Sequence, residues 1–182
     1  MYGSMTIKPV IVTIVRGIMA ASVLIGTATA ADFNGIFSWS DDPADHASIS
    51  QAVDHAASQV NAVIRPVVRK RLAASIVPYE LIEMVVTNGI ITFNRNSSDR
   101  PITTEIGGKA VQYARTDGKL SDVTFAMEGE KLRQTYSNDE GTRENLFSLA
   151  EEGRILTMAI TIRPTRVKTV IELTLTYVKN GS

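Results

Sequence analysis

Paired turn residues recur about every ten to twelve positions through the second half of the chain. They fall at Asn88-Gly89, Asp117-Gly118, Glu128-Gly129, Glu140-Gly141 and Glu152-Gly153, with Gly107-Gly108 inside the first long gap. An interval of ten to twelve residues has room for one strand of ordinary length and a tight turn, and not for a three-turn helix with its own loops. The segments between the turns are rich in Val, Ile, Thr, Phe and Tyr. A sequence of this kind reads as a meander of antiparallel strands that closes into a sandwich or barrel.

The period confirms strands rather than helices. The candidates are 80–87, 90–95, 101–106, 109–115, 119–127, 131–137, 142–149, 154–163 and 168–178. Apolar residues alternate in Val123/Phe125/Met127, in Leu156/Met158/Ile160/Ile162 and in Ile171/Leu173/Leu175/Tyr177, while Glu172, Thr174 and Thr176 occupy the other face. One face is therefore buried and the other wet. Asp117-Gly118 is the strongest hairpin signal, since a two-residue turn of the favoured type needs positive φ at both positions.

Ahead of the meander, Phe33, Phe37 and Trp39 share one face of a first strand, with Gly35 between them where a neighbouring chain can approach. Asp42-Pro43-Ala44-Asp45 then starts a helix with an N-cap acid, proline at N1 and an acid at N3. Ile49, Ala52, Val53, Ala56, Val60, Val63, Ile64 and Val67 form one apolar stripe. The helical insert spans about 43–74. Pro66 is expected to kink or interrupt it, giving segments near 43–64 and 67–74.

The first thirty residues read as an address. Lys8 and Arg16 precede an apolar small-residue stretch, and Ala28-Thr29-Ala30 supplies the small residues of a cleavage site. The expectation is a signal peptide cut after Ala30, with 31–182 as a single extracytoplasmic domain, periplasmic or secreted. A retained anchor is the alternative, and it would draw Arg16 into the bilayer. Removing the segment takes two bases and no acid from a chain with 19 of each, so the remaining charge is slightly negative. Such a balance gives no attraction for nucleic acid. The chain has no cysteine, which excludes disulfides and thiolate chemistry.

Together these parts resemble a lipocalin-like, calycin-type small β-barrel. Gly35-Ile36-Phe37 stands where lipocalins carry Gly-x-Trp, with Phe in place of Trp. The resemblance assigns Phe37, with Trp39 beside it, to closing one end of the barrel. The chain is also similar to uncharacterised exported bacterial proteins over about 32–40 and 79–179. That likeness is carried by Glu128-Gly129-Glu130-Lys131-Leu132, by the run from Phe147 to Thr157 and by Tyr177-Val178-Lys179. It implies a barrel with an apolar interior and says nothing of the occupant.

No catalytic constellation is visible. His46 and His55 are the only histidines, nine apart, a spacing that puts them on opposite sides of a helix. No serine sits in a nucleophile elbow, and no phosphate-binding glycine loop is present. The spacing implies neither a metal nor a cofactor, and the expectation is a non-enzyme. The remaining candidate is the barrel interior, where Phe125, Met127, Tyr136, Phe147, Met158 and Leu173 would line a space for a small apolar or amphipathic ligand. The same side chains could instead fill the core, leaving an envelope module that engages a protein partner. Arg65, Arg69, Lys70 and Arg71 either contact an anion or satisfy a helix C-terminus.

Overall fold

The computed structural model describes residues 29–181 apart from 99, 116–117 and 166–168, and apart from the side chains of 71, 74 and 75. Residues 1–28 of the expected signal segment, and Asp117 of the strongest hairpin signal, thus lie outside the described residues.

Among the described residues an antiparallel sheet of ten strands wraps into a nearly closed barrel. The strands are β1 (Gly35–Trp39), β2 (Leu81–Thr87), β3 (Ile90–Arg95), β4 (Ile102–Glu105), β5 (Val111–Ala114), β6 (Leu120–Glu128), β7 (Lys131–Asn138), β8 (Gly141–Ala150), β9 (Ile155–Pro164) and β10 (Ile171–Lys179). The order is β4-β3-β2-β1-β10-β9-β8-β7-β6-β5, a meander whose first and last strands pair. Closure thus depends on β1, which joins β10 through Phe37 to Lys179 and Trp39 to Tyr177. The seam falls between β4 and β5, two short strands that do not pair with each other. Ile106 spans it by a parallel bridge to Phe125, and the Gly107 N–H donates to the Phe125 carbonyl at 2.7 Å.

Two glycines are needed for different reasons. Gly89 follows Asn88 with both φ positive, at 78° and 51°, the geometry that suits the twist of a two-residue hairpin. Gly141 is not in the turn that Glu140-Gly141 suggested, because the turn residues are Asp139 and Glu140 and Gly141 opens β8. A Cβ at Gly141 would lie 2.3 Å from the Arg163 carbonyl oxygen, so the glycine serves a close approach of β9.

The helical insert differs from expectation in one respect. Helix α1 (Pro43–Ser58) and helix α2 (Arg65–Ser75) are separate, and the break lies at 59–64 rather than at Pro66. Asn61 turns the chain by accepting the Val63 N–H at 3.0 Å. Pro66 sits in the first turn of α2, where a missing N–H costs nothing. The apolar stripe therefore does not continue: Ala52, Val53 and Ala56 are buried, but Val63 is 85% exposed, and Ile64 and Val67 are exposed as well.

Helix α1 takes over where β1 stops. Past Trp39 the Ser40 N–H still donates to the Thr176 carbonyl at 3.0 Å, and two α1 side chains accept from the β10 N–H groups on that edge. The Thr176 N–H donates to Asp45 Oδ2 and the Thr174 N–H to Ser48 Oγ, each at 3.0 Å. Among the described residues no helix is long and apolar enough to cross a membrane.

The inward residues follow the expected alternation. Phe93, Phe125 and Phe147 pack with ring centroids 5.8 and 5.9 Å apart, surrounded by fully buried Met84, Leu132, Leu156, Met158 and Tyr177. This part of the barrel is filled.

Candidate functional site

Up-and-down topology brings the exit of β1, the start of β2, the end of β3 and the β5–β6, β7–β8 and β9–β10 connections to one end, the end at which the helices lie. A cavity of about 310 Å³ opens there, above the packed aromatic floor. Its walls are Tyr79, Arg95, Tyr113, Tyr136, Arg143 and Ile162, and Arg115 and Glu140 stand among its other lining residues.

Inward parity explains why polar groups reach this space. Arg95 lies two residues beyond Phe93 and four beyond Ile91, so it continues the buried face of β3. On β8 the same face carries Arg143, Asn145 and Phe147, and on β7 it carries Leu132, Gln134 and Tyr136. Tyr136 is the cross-strand partner of Arg143, and Gln134 of Asn145.

These pairs form a connected polar network. Arg95 donates from Nη1 to the Tyr79 hydroxyl at 2.8 Å and from Nη2 to the Tyr113 hydroxyl at 3.0 Å. Its guanidinium carbon lies 5.1 Å from each of those ring centroids and 6.0 Å from that of Tyr136. Arg143 Nε donates to Asn145 Oδ1 at 2.9 Å, and its guanidinium lies 5.5 Å from the Tyr79 ring centroid. Asn145 Nδ2 donates to Gln134 Oε1 at 2.8 Å, and Gln134 Nε2 to the Tyr136 hydroxyl at 2.9 Å. Gln134 and Asn145 are fully buried. Their mutual satisfaction is what makes two amides tolerable in a β-barrel core.

The two guanidiniums set the local electrostatics. Burial alone would raise the Tyr79 phenol, but the Arg143 and Arg95 charges, with the Arg95 hydrogen bond, hold it below its ordinary value. Burial pushes Tyr136 well up, and the neighbouring Tyr79 adds to the rise. Tyr177 is raised by the same two causes. Burial would lower Arg95, yet Tyr79, Tyr136 and Tyr113 around it more than offset that and keep it protonated.

An alkaline titration should resolve these differences. Tyr79 is expected to ionise below the ordinary phenol value of about 10, and Tyr136 and Tyr177 above it. The lowered Tyr79 adds stability as pH rises towards that value. The raised pair contributes stability that is present below it and lost as pH climbs past it. Absorbance of the ionised phenol, followed with Tyr79→Phe, checks this: the variant should lose the earliest step. An unchanged first step would refute the assignment.

The residues expected from sequence occupy several places. Phe125, Phe147, Met158 and Leu173 are buried in the core beneath the cavity, Met127 is half-buried against that core, and Tyr136 forms part of the cavity wall. Phe37 is fully buried with the Lys179 ammonium 5.7 Å from its ring centroid, and Trp39 is half-buried, donating to Asp45. Arg65 reaches the Ser58 and Val60 carbonyls at 3.5 Å, Arg69 pairs with Asp54 at 2.7 Å, and Lys70 is exposed on α2. The Arg71 side chain lies outside the described ones. Among the described residues no group of three or more His, Asp or Glu is placed to hold a metal ion.

No protein-family model matches the sequence, and no curated protein matches it either. Solved structures do match by shape. A Schistosoma mansoni fatty acid binding protein in complex with arachidonic acid shares 16% identity at a TM-score of 0.52, over 83% of this chain and 98% of that one. Caenorhabditis elegans lipid binding protein 8 shares 11% at 0.51, over 84% and 99%. Echinococcus granulosus fatty-acid-binding protein 1 shares 10% at 0.52, over 82% and 98%. At such identities the likeness defines the fold: this is a calycin-type barrel. The match takes in nearly the whole of each fatty-acid-binding structure and a little over four fifths of this chain.

Proposed function

We propose that this protein binds a small amphipathic molecule at the helix end of its barrel and carries or sequesters it without converting it. The observation that carries the reading is the cavity of about 310 Å³, in which polar groups converge above a packed apolar floor. Small-molecule sites have this composition, with few polar groups placed to orient a mostly apolar occupant. The fold class supports it, since the structures of similar shape are named for fatty-acid and lipid binding. The proposal extends to an exported protein, on the strength of Lys8, Arg16 and the Ala28-Thr29-Ala30 cleavage pattern.

Titration calorimetry with a panel of amphipathic acids and neutral lipophiles tests the reading. Binding that disappears in Ile162→Trp, which places a larger side chain in the cavity from the inward face of β9, is the expected result. Absence of binding across the panel, or binding indifferent to Ile162→Trp, would overturn it. Exposed Val63, Ile64, Val67 and Val77 on and beside the insert favour the second reading, an envelope module that engages a protein through the helices.

A further inference from the structure

We propose that the occupant is a compact organic anion with a flat ring, its acid group gripped between Arg95 and Arg143, and not a long acyl chain. This rests on the cavity reading above and specifies its ligand.

The charge argument begins with a contrast. Elsewhere on the barrel Arg115, Arg133, Arg154 and Arg163 each reach a glutamate within 2.5–3.1 Å. Arg95 and Arg143 point into the cavity, and among the described residues neither meets a carboxylate. Glu140 lines the cavity, but Arg115 and Lys119 already hold it at 3.1 and 2.5 Å. The partners that the inner pair does have are neutral oxygens of Tyr79, Tyr113 and Asn145. Partly buried cations in neutral surroundings leave a positive site that an anion completes.

Donor accounting points the same way. A guanidinium carries five N–H groups in a planar fork. Arg95 uses two of them on phenols and Arg143 uses one, on its Nε, so among the described residues the terminal nitrogens of Arg143 stay open towards an acid. The amide relay from Tyr136 through Gln134 to Asn145 turns the Asn145 oxygen to Arg143 Nε and thereby fixes the fork. A carboxylate or sulfonate fits such a fork in two parallel bonds.

Shape then selects the rest of the molecule. Tyr79, Tyr113 and Tyr136 offer ring faces and edges, with Tyr113 and Tyr136 themselves edge-to-face at 6.5 Å. Below them Phe93, Phe125 and Phe147 close the barrel. The volume sits at the lower limit of small-molecule pockets, about 300–1,000 Å³. An extended acyl chain would have to displace this floor, whereas a ring acid need not.

The test uses the full chain and three probes: 2-naphthoate, its uncharged analogue 2-naphthamide, and palmitate. Naphthoate is expected to bind about tenfold or more tightly than naphthamide, in keeping with charge-assisted bonds to two guanidiniums, and more tightly than palmitate, whose chain the packed floor leaves no room for. Arg95→Gln and Arg143→Gln should each erase most of the preference for naphthoate over naphthamide, and Arg143→Lys should restore only part of it. Palmitate binding best overturns the compact-ring assignment, and naphthamide binding as well as naphthoate overturns the anion assignment; either leaves the cavity reading standing. Failure of all three probes sinks both. Where a variant does not fold, the naphthoate-to-naphthamide ratio on the unaltered protein decides the matter alone.

Discussion

Replacing Phe147 by alanine is expected to destabilise the protein by about 3–5 kcal/mol. The ring is fully buried, lies 5.9 Å from Phe93, and stands on β8 between its cross-strand partners Leu132 and Met158. Truncation removes apolar surface from the core and leaves a void that a hydrogen-bonded barrel cannot close. Against a typical stability of roughly 5–15 kcal/mol, that is a large fraction. Equilibrium urea unfolding measures it, and the midpoint should fall with little change in slope. A loss below about 1 kcal/mol would mean that the floor is loosely packed. In that case the barrel would have room for an acyl chain, and the argument for a compact ligand would lose its steric half. If the floor is as tight as the ring contacts indicate, Phe147→Ala should instead bind palmitate more tightly than the unaltered protein does.

The strands were legible because two local signals agreed along the whole meander. Turn residues marked where the chain reverses, and period-two alternation marked which face is buried, so the observed strands match the expected ones to within a few residues at each end. Where a signal served something else, the reading shifted. Gly141 reads as a turn glycine beside Glu140, but it answers to a close approach of the β9 backbone. Pro66 reads as a kink in one long helix, yet proline is equally at home in a first turn, and only Asn61 shows where the earlier helix ends. The stripe through Val63, Ile64 and Val67 is helical in spacing and still exposed, since a six-residue interruption gives α2 its own orientation.

The candidate site was much less legible, for a physical reason. Apolar alternation identifies a buried face, and arguments built on it pass over the positions where that face turns polar. Arg95 after Ile91 and Phe93, and Gln134 between Leu132 and Tyr136, are such positions. So is the Arg143, Asn145, Phe147 series on β8. A charged or amide residue at inward parity near a strand end is a signal available from sequence alone. What sequence could not supply is the cross-strand register that makes Gln134 and Asn145 partners and brings Arg95 between Tyr79 and Tyr113.

Asp45 shows the same gap between a local role and a long-range one, and it carries the second large expected effect. From sequence it is an N3 acid that favours a helix N-terminus. In the fold it is 3% exposed, and Oδ2 accepts from Trp39 Nε1 at 2.7 Å, from the Thr176 N–H at 3.0 Å and from Ser40 Oγ at 3.4 Å. One carboxylate oxygen thus binds the end of β1, the edge of β10 and the start of α1 into one corner. Asp45→Ala would strand the indole and backbone donors without an acceptor, and unmet buried donors cost about 1–3 kcal/mol each. The expected loss is roughly 2–5 kcal/mol, while Asp45→Asn, which keeps a carbonyl oxygen, should lose less than half as much. Trp39 is the sole tryptophan, so its fluorescence reports this corner directly, and amide exchange at Thr176 reports the strand edge. Equal, small losses in both variants, with Thr176 exchange unchanged, would show that apolar packing of α1 alone holds the insert on the barrel. The larger loss in Asp45→Ala, with a red-shifted Trp39 and faster exchange at Thr176, would show that a single buried acceptor couples the helices to the strand that closes the barrel.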